Sequence, residues 1–121
     1  MAENKKLRVY LSGPISYFQH KNRMDECQKI FQRAKKDLEA FGYEVVNPFD
    51  NGLSNEAPWI RHIIKDLELL DTCDMICYLH TWDLHYSAGS QIEKIAARKN
   101  RLIEIRQTKN DMGYNYQRLA A

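Results

Sequence analysis

Met75-Ile-Cys-Tyr-Leu79, followed closely by Trp82-Asp-Leu-His-Tyr-Ser87-Ala-Gly89-Ser-Gln-Ile-Glu93, is the stretch whose reading decides the fold. The first run is apolar throughout, as expected of a central strand covered on both faces. The second places small polar residues and a glycine where that strand hands over to a helix, read over Gln91 to Lys99. Backbone N–H groups at such a helix start have no partner within the helix and attract anions. One turn into the helix stands a carboxylate, Glu93. Phosphate suits this loop and a carboxylate does not, so Glu93 beside an anion site points to chemistry.

Working outward, Leu7 to Leu11 has strand character and ends at the turn Ser12-Gly13-Pro14. Ile15 to Asn22 reads as an irregular loop. Met24, Cys27, Ile30, Phe31, Ala34, Leu38 and Phe41 repeat at helical spacing, and Gly42 ends that helix. Tyr43 to Val46 is a second strand, closed by Asn47-Pro48. Phe49 to Pro58 is a polar loop around Asn51-Gly52, either a binding lid or a plain connector. Trp59, Ile60, Ile63, Ile64, Leu67 and Leu70 then mark another helix, begun by Pro58. Leu102 to Ile105 reads as a fourth strand. Residues 106–121 read as a terminal amphipathic helix or a flexible tail, with Gly113 weighing against the helix.

The alternation predicts a single α/β domain over residues 1–121, a flavodoxin-like or Rossmann-like sandwich. A parallel sheet of four to five strands, in the order 2-1-3-4, carries helices on both faces. Ligands of such sheets sit beyond the carboxyl ends of the strands, at the switch point between strands one and three. The loops there are Ser12 to Asn22 and His80 to Gly89, so the opening stretch lies where the architecture directs a ligand.

Bulk properties narrow the class. A chain of 121 residues, 44% hydrophobic and 28% charged, is ordinary for one globular domain. A net charge of +2, with scattered lysines and arginines, argues for neither a nucleic-acid polymer nor a membrane as partner. No apolar run approaches a transmembrane length and no apolar signal region precedes the first strand, so the cytoplasm is the expected location. Three cysteines argue against a disulfide framework. Cys73, Cys77, His80 and His85 superficially resemble metal ligands. Along a strand, however, Cys73 and Cys77 would stand roughly 13 Å apart, too far for one zinc ion. No metal site is expected, and Cys77 reads as a small core residue.

Several motifs together carry a family resemblance. They are Tyr10-Leu-Ser-Gly-Pro-Ile15, Asn22, Gly42-Tyr-Glu-Val-Val-Asn-Pro48, Asp66-Leu with Cys73-Asp74 following, and Trp82 with Ser87-x-Gly89-x-x-x-Glu93. In this order the chain, from about Tyr10 to Ala97, resembles the nucleoside 2-deoxyribosyltransferase superfamily, including its 2'-deoxynucleoside 5'-phosphate N-hydrolases. It is nearest to the small branch labelled DUF4406. The resemblance implies that Glu93 is the nucleophile at C1' of a sugar, giving a glycosyl-enzyme ester. It implies Asp66 as the second acid and Tyr10 as the group orienting the nucleophile. Ser87 and Gly89 would grip the 5' end of the sugar, with Ser12, Gly13, Ile15 and Trp82 completing the substrate site. Serine at position 87 favours a 5'-monophosphate over a free nucleoside. No cofactor is implied, the partner is a small nucleotide or nucleoside, and a homodimer or higher homo-oligomer is expected.

Plainer roles stand beside these. Glu93 is also what a helix dipole favours in a first turn. Asp66 also fits a solvated helix face, Ser87 a simple N-cap, Tyr10 core packing and Trp82 a pocket wall. Between Trp82 and Ser87 the chain is two residues longer than the small-branch pattern. Tyr17 and Phe18 stand in place of a glycine-rich turn, to stack on a base or to fill the core. The functional alternatives are therefore an N-glycosidic enzyme, a non-catalytic nucleotide-binding or sensing module, or an interaction domain with a vestigial pocket.

Overall fold

A computed structural model describes residues 5–120. Residues 1–4, on which part of the signal-region argument rests, and residue 121 lie outside the described residues. The elements in order are β1 (Arg8–Ser12), α1 (Ile15–His20), α2 (Met24–Ala40), β2 (Glu44–Val46), α3 (Trp59–Leu70), β3 (Met75–Tyr78), α4 (Ala88–Lys99), β4 (Ile103–Asn110) and β5 (Gly113–Arg118). They form one five-stranded sheet in the order β2-β1-β3-β4-β5. The first four strands are mutually parallel, β1 lying between β2 and β3. The expected order and class therefore hold.

Sheet alternation sorts the core into two layers. Val9, Leu11, Met75, Cys77 and Leu79 face α1 and α2, where they meet Phe18, Cys27, Phe31, Ala34 and Leu38. Tyr10, Ile76 and Tyr78 face the other way, against Leu70 of α3, Trp82 and Ala97 of α4. Cys77 is a buried core residue and all three cysteines are free. Phe18 belongs to the core as well.

Two expectations are corrected. Residues 106–118 form neither a helix nor a tail, and residue 121 of the expected segment lies outside the described residues. β4 runs on to Asn110 and turns through Asp111-Met112 into β5, which pairs with it antiparallel from Gly113 to Arg118. Gly113, counted against a helix, instead serves the turn with a φ of 126°, a conformation only glycine adopts freely. The Asn110 side chain accepts from the Met112 N–H at 2.8 Å, closing an Asx turn. Ile15 to Asn22 is not irregular either. Ile15–His20 forms a short helix, pinned by buried Phe18, and the chain leaves it at Asn22 with φ 57°.

Among the described residues no helix is long and apolar enough to cross a membrane.

Candidate active site

β1 and α4 build the centre together. Because strand side chains alternate, Tyr10 and Ser12 point to the same face of β1, the face that α4 covers. Both reach Glu93. The Tyr10 hydroxyl donates to Glu93 Oε2 at 2.5 Å, and the Ser12 hydroxyl donates to Oε1 at 2.8 Å. Trp82 Nε1 donates to Ser12 Oγ at 3.1 Å and so fixes the serine rotor. Each carboxylate oxygen is thus held from the protein side, in a setting where Tyr10 and Ser12 are wholly buried and Glu93 is 6% exposed.

Burial pushes the Glu93 carboxyl up, to about 8. The Tyr10 hydrogen bond opposes that rise, the charge of Asp66 adds to it, and the Ser12 bond again opposes it. Tyr10 itself is raised well above the usual phenol value by burial and then by the Glu93 charge, so it stays a donor. Asp66, 7% exposed, is raised to about 6, burial being the main cause. The Asn51 amide lowers it in part by donating to Asp66 Oδ1 at 2.9 Å.

The same Asn51 nitrogen lies 3.1 Å from His62 Nδ1, and His62 Nε2 lies 2.9 Å from the Ser54 carbonyl. An amide nitrogen only donates and a carbonyl only accepts. In this arrangement His62 accepts at Nδ1 and donates from Nε2. Asn51 Oδ1 accepts from the Leu53 N–H at 2.9 Å, so the Asn51-Gly52 loop is tied to α3 through three side chains.

These groups border a cavity of about 190 Å³ at the carboxyl edge of the sheet. Glu93, Asp66, Gly13, Ile15, Ser87 and Gly89, all expected at a site, line it. Tyr10, Ser12 and Trp82 are not among the lining residues and stand behind Glu93. Ser12, expected at the substrate, is turned onto the carboxylate instead. Asn51, Leu53, Asn55 and Ala57 also line the cavity, so the polar loop forms part of its wall.

At the start of α4, Ser87 is the N-cap and accepts from the Ser90 N–H at 3.3 Å. Ser90 Oγ is buried with no partner, and Ser90 lines the cavity. A helix start with a spare buried hydroxyl is a donor-rich wall of the same cavity that the two carboxylates line. Gly89 matters by size. A Cβ there would stand 2.9 Å from Ile63 Cδ1, so α3 and α4 approach closely at the cavity wall.

Sequence reasoning missed Asn51, His62 and Ser90. Ser90 was accessible, since it lies three residues before Glu93 on one helix face. Asn51 and His62 were not, because their meeting depends on the path of an irregular loop. His85 and Tyr17 stack on each other at 3.6 Å, so the enlarged Trp82–Ser87 rim rests on α1. Among the described residues no group of three or more His, Cys, Asp or Glu is placed to hold a metal ion.

A family model described as a domain of unknown function, DUF4406, matches residues 7–105. No curated protein matches the chain.

Proposed function

Since the chain belongs to the DUF4406 family, whose description assigns no reaction, we propose a function from the site itself: cleavage or transfer of the N-glycosidic bond of a (deoxy)nucleoside 5'-monophosphate. The observation that carries it is the grip on Glu93, a buried carboxylate held by two hydroxyl donors at a cavity that also holds a second acid. This reading places the chain with the nucleoside 2-deoxyribosyltransferase superfamily that its motifs resemble.

Glu93, ionised, attacks C1' of the sugar. The C1'–N bond breaks, its electron pair leaves with the base, and the base takes the proton of Asp66. In hydrolysis, water then attacks C1' while the Asp66 carboxylate takes its proton, and Glu93 is released. In transfer, a second base replaces the water. Tyr10 and Ser12 orient Glu93 and stabilise its charge, and Asn51 aims Asp66. The phosphate meets the α4 start at Ser87, Gly89 and Ser90. The cavity is smaller than the roughly 300–1,000 Å³ that encloses a drug-sized ligand. Sugar and phosphate therefore sit inside, and the base lies in the mouth beside Trp59.

Incubation with a panel of nucleoside and deoxynucleoside monophosphates, read by chromatography for free base, tests this. The wild type releases base. Glu93→Gln loses at least about a thousandfold in rate while still binding nucleotide. Full turnover by that variant would remove Glu93 from the chemistry.

One observation favours the non-catalytic alternative: burial raises the Glu93 carboxyl, to about 8, and so opposes the ionised form that the nucleophile needs. Tight binding with no base released, at any pH up to 9, would select it. The expected homodimer is also proposed here, across α3. That helix leaves Trp59, Ile60 and Ile64 about half exposed beside the cavity mouth. Light scattering should give twice the chain mass, and Ile60→Glu with Ile64→Glu should return it to that of one chain.

A further inference from the structure

A second and larger cavity, about 490 Å³, opens on the other side of α1. Four cations line it: Arg23 just before α2, Lys29 and Arg33 from α2, and Lys109 from the end of β4. Only one carboxylate does, Glu26. The whole chain carries a net charge of +2, so positive charge is concentrated at this groove.

The four are not equivalent. Arg23 is committed to Glu26, with both contacts at 2.7 Å, and Arg33 holds Asp37 through Nε at 3.1 Å. Neither Lys29 nor Lys109 takes part in an ion pair among the described residues. Two unpaired lysines beside one groove repel each other, and a shared anion between them removes that repulsion. Arg33 uses only Nε on Asp37, which leaves its terminal nitrogens free. It stacks 5.0 Å from the centre of the Tyr114 ring, which holds the guanidinium over the groove. Thr81, 5% exposed, lines the same cavity, and its hydroxyl has no partner.

We propose that this groove binds a polyphosphate chain, with Lys29 and Lys109 on its charged oxygens, Arg33 on a further one and Thr81 supplying a neutral donor. The chemistry is that of a ligand with several linked phosphates. A chain of linked phosphates offers separate charged oxygens to the cations that α2 and the end of β4 bring to this groove, and a carboxylate offers fewer. Two sources share it, an inorganic polyphosphate and a nucleoside polyphosphate. For the latter, Tyr114 and His80, whose rings lie 5.3 Å apart, offer a surface for the base. This site is separate from the α4 start, since no residue lines both cavities.

Calorimetric titration of the full chain with inorganic triphosphate, at low salt, tests the proposal. Wild type should bind with one site per chain, and Lys29→Ala with Lys109→Ala should weaken binding by about a hundredfold, roughly tenfold per lysine. Ser87→Ala with Ser90→Ala should leave the affinity unchanged. A control pair of exposed lysines elsewhere, Lys36→Ala with Lys99→Ala, should cost less than about threefold. Retained affinity in the Lys29/Lys109 variant overturns the proposal. Loss in the Ser87/Ser90 variant overturns it too, because the phosphates would then occupy the first cavity. So does an equal loss in the control pair, which would mean attraction to bulk charge only. In a second arm, a nucleoside triphosphate that binds tenfold tighter than inorganic triphosphate, and loses that margin on Tyr114→Ala, supports the nucleoside source. Equal affinities support the inorganic one.

Discussion

At the scale of single residues, the two acids set a pH dependence. Asp66 and Glu93 titrate as a coupled pair with apparent values near 6 and 8. The proposed chemistry needs Glu93 ionised and Asp66 protonated, which is a singly protonated pair. The rate should therefore follow a bell, falling below about 6 and above about 8. The productive tautomer is the rarer one, because Glu93 holds its proton more tightly than Asp66 does. Tyr10→Phe removes a bond that pulls Glu93 down. It should move the alkaline limb upward and lower the optimum rate by about 10- to 100-fold, as expected for a hydrogen bond to a charged group. Asp66→Asn removes the acid. Its rate should drop about 10²- to 10⁴-fold, and its profile should climb to a plateau with no alkaline decline. A profile unchanged in shape by either substitution would separate these residues from the chemistry.

At the scale of elements, the parts read best from sequence are those whose period is strong. Met24 to Ala40 and Trp59 to Leu70 emerge within a residue of their observed bounds, because one face of each is apolar. Tyr10 and Ser12 fall on one face of β1 by alternation alone, so their shared attention to Glu93 was legible in principle. What was not legible depends on polar side chains meeting across the fold. The β4–β5 hairpin is the clearest case. Its inward side chain is Gln107, 1% exposed, where a hydrophobic residue would have announced a strand. Gln107 Oε1 accepts from the His80 N–H at 3.0 Å, and Nε2 donates to the Tyr116 hydroxyl at 2.9 Å. That hydroxyl in turn donates to Asp37 Oδ2 at 2.8 Å, so one glutamine joins β4 to the loop after β3, to β5 and to α2. Gln107→Leu keeps the volume and orphans those groups. It should cost about 1–3 kcal/mol in chemical unfolding, and amide exchange should accelerate in β5 before it does in β1. An exchange rate that rises evenly over the sheet would mean that the hairpin is not a separate unit.

At the scale of the whole molecule, the site places a load on the fold. The alternation of strands and helices announces the sheet order and the carboxyl edge where the cavity lies, since only a few topologies satisfy it. It says nothing of how deeply Glu93 is buried, which follows from α4 packing flat on β1 and β3. That depth has a consequence for stability. In the folded chain Glu93 and Asp66 bind protons more tightly than in the unfolded chain, so the folded state holds more protons over the range between. Stability is therefore full below the ordinary carboxylate values near 4 and is lost as pH rises through about 6 and then about 8. Above that range both states are ionised and the loss stops growing. The loss from Glu93 is on the order of 5 kcal/mol, which lowers the melting midpoint by on the order of 20 °C. Calorimetry between pH 5 and pH 8.5 should show that fall in the wild type. Glu93→Gln, unable to ionise, should lose most of the slope and melt higher than the wild type at pH 8.5, while lacking activity. An equally steep fall in Glu93→Gln would place the pH-sensitive group elsewhere, and with it the idea that this fold sacrifices stability to keep a carboxylate ready at its centre.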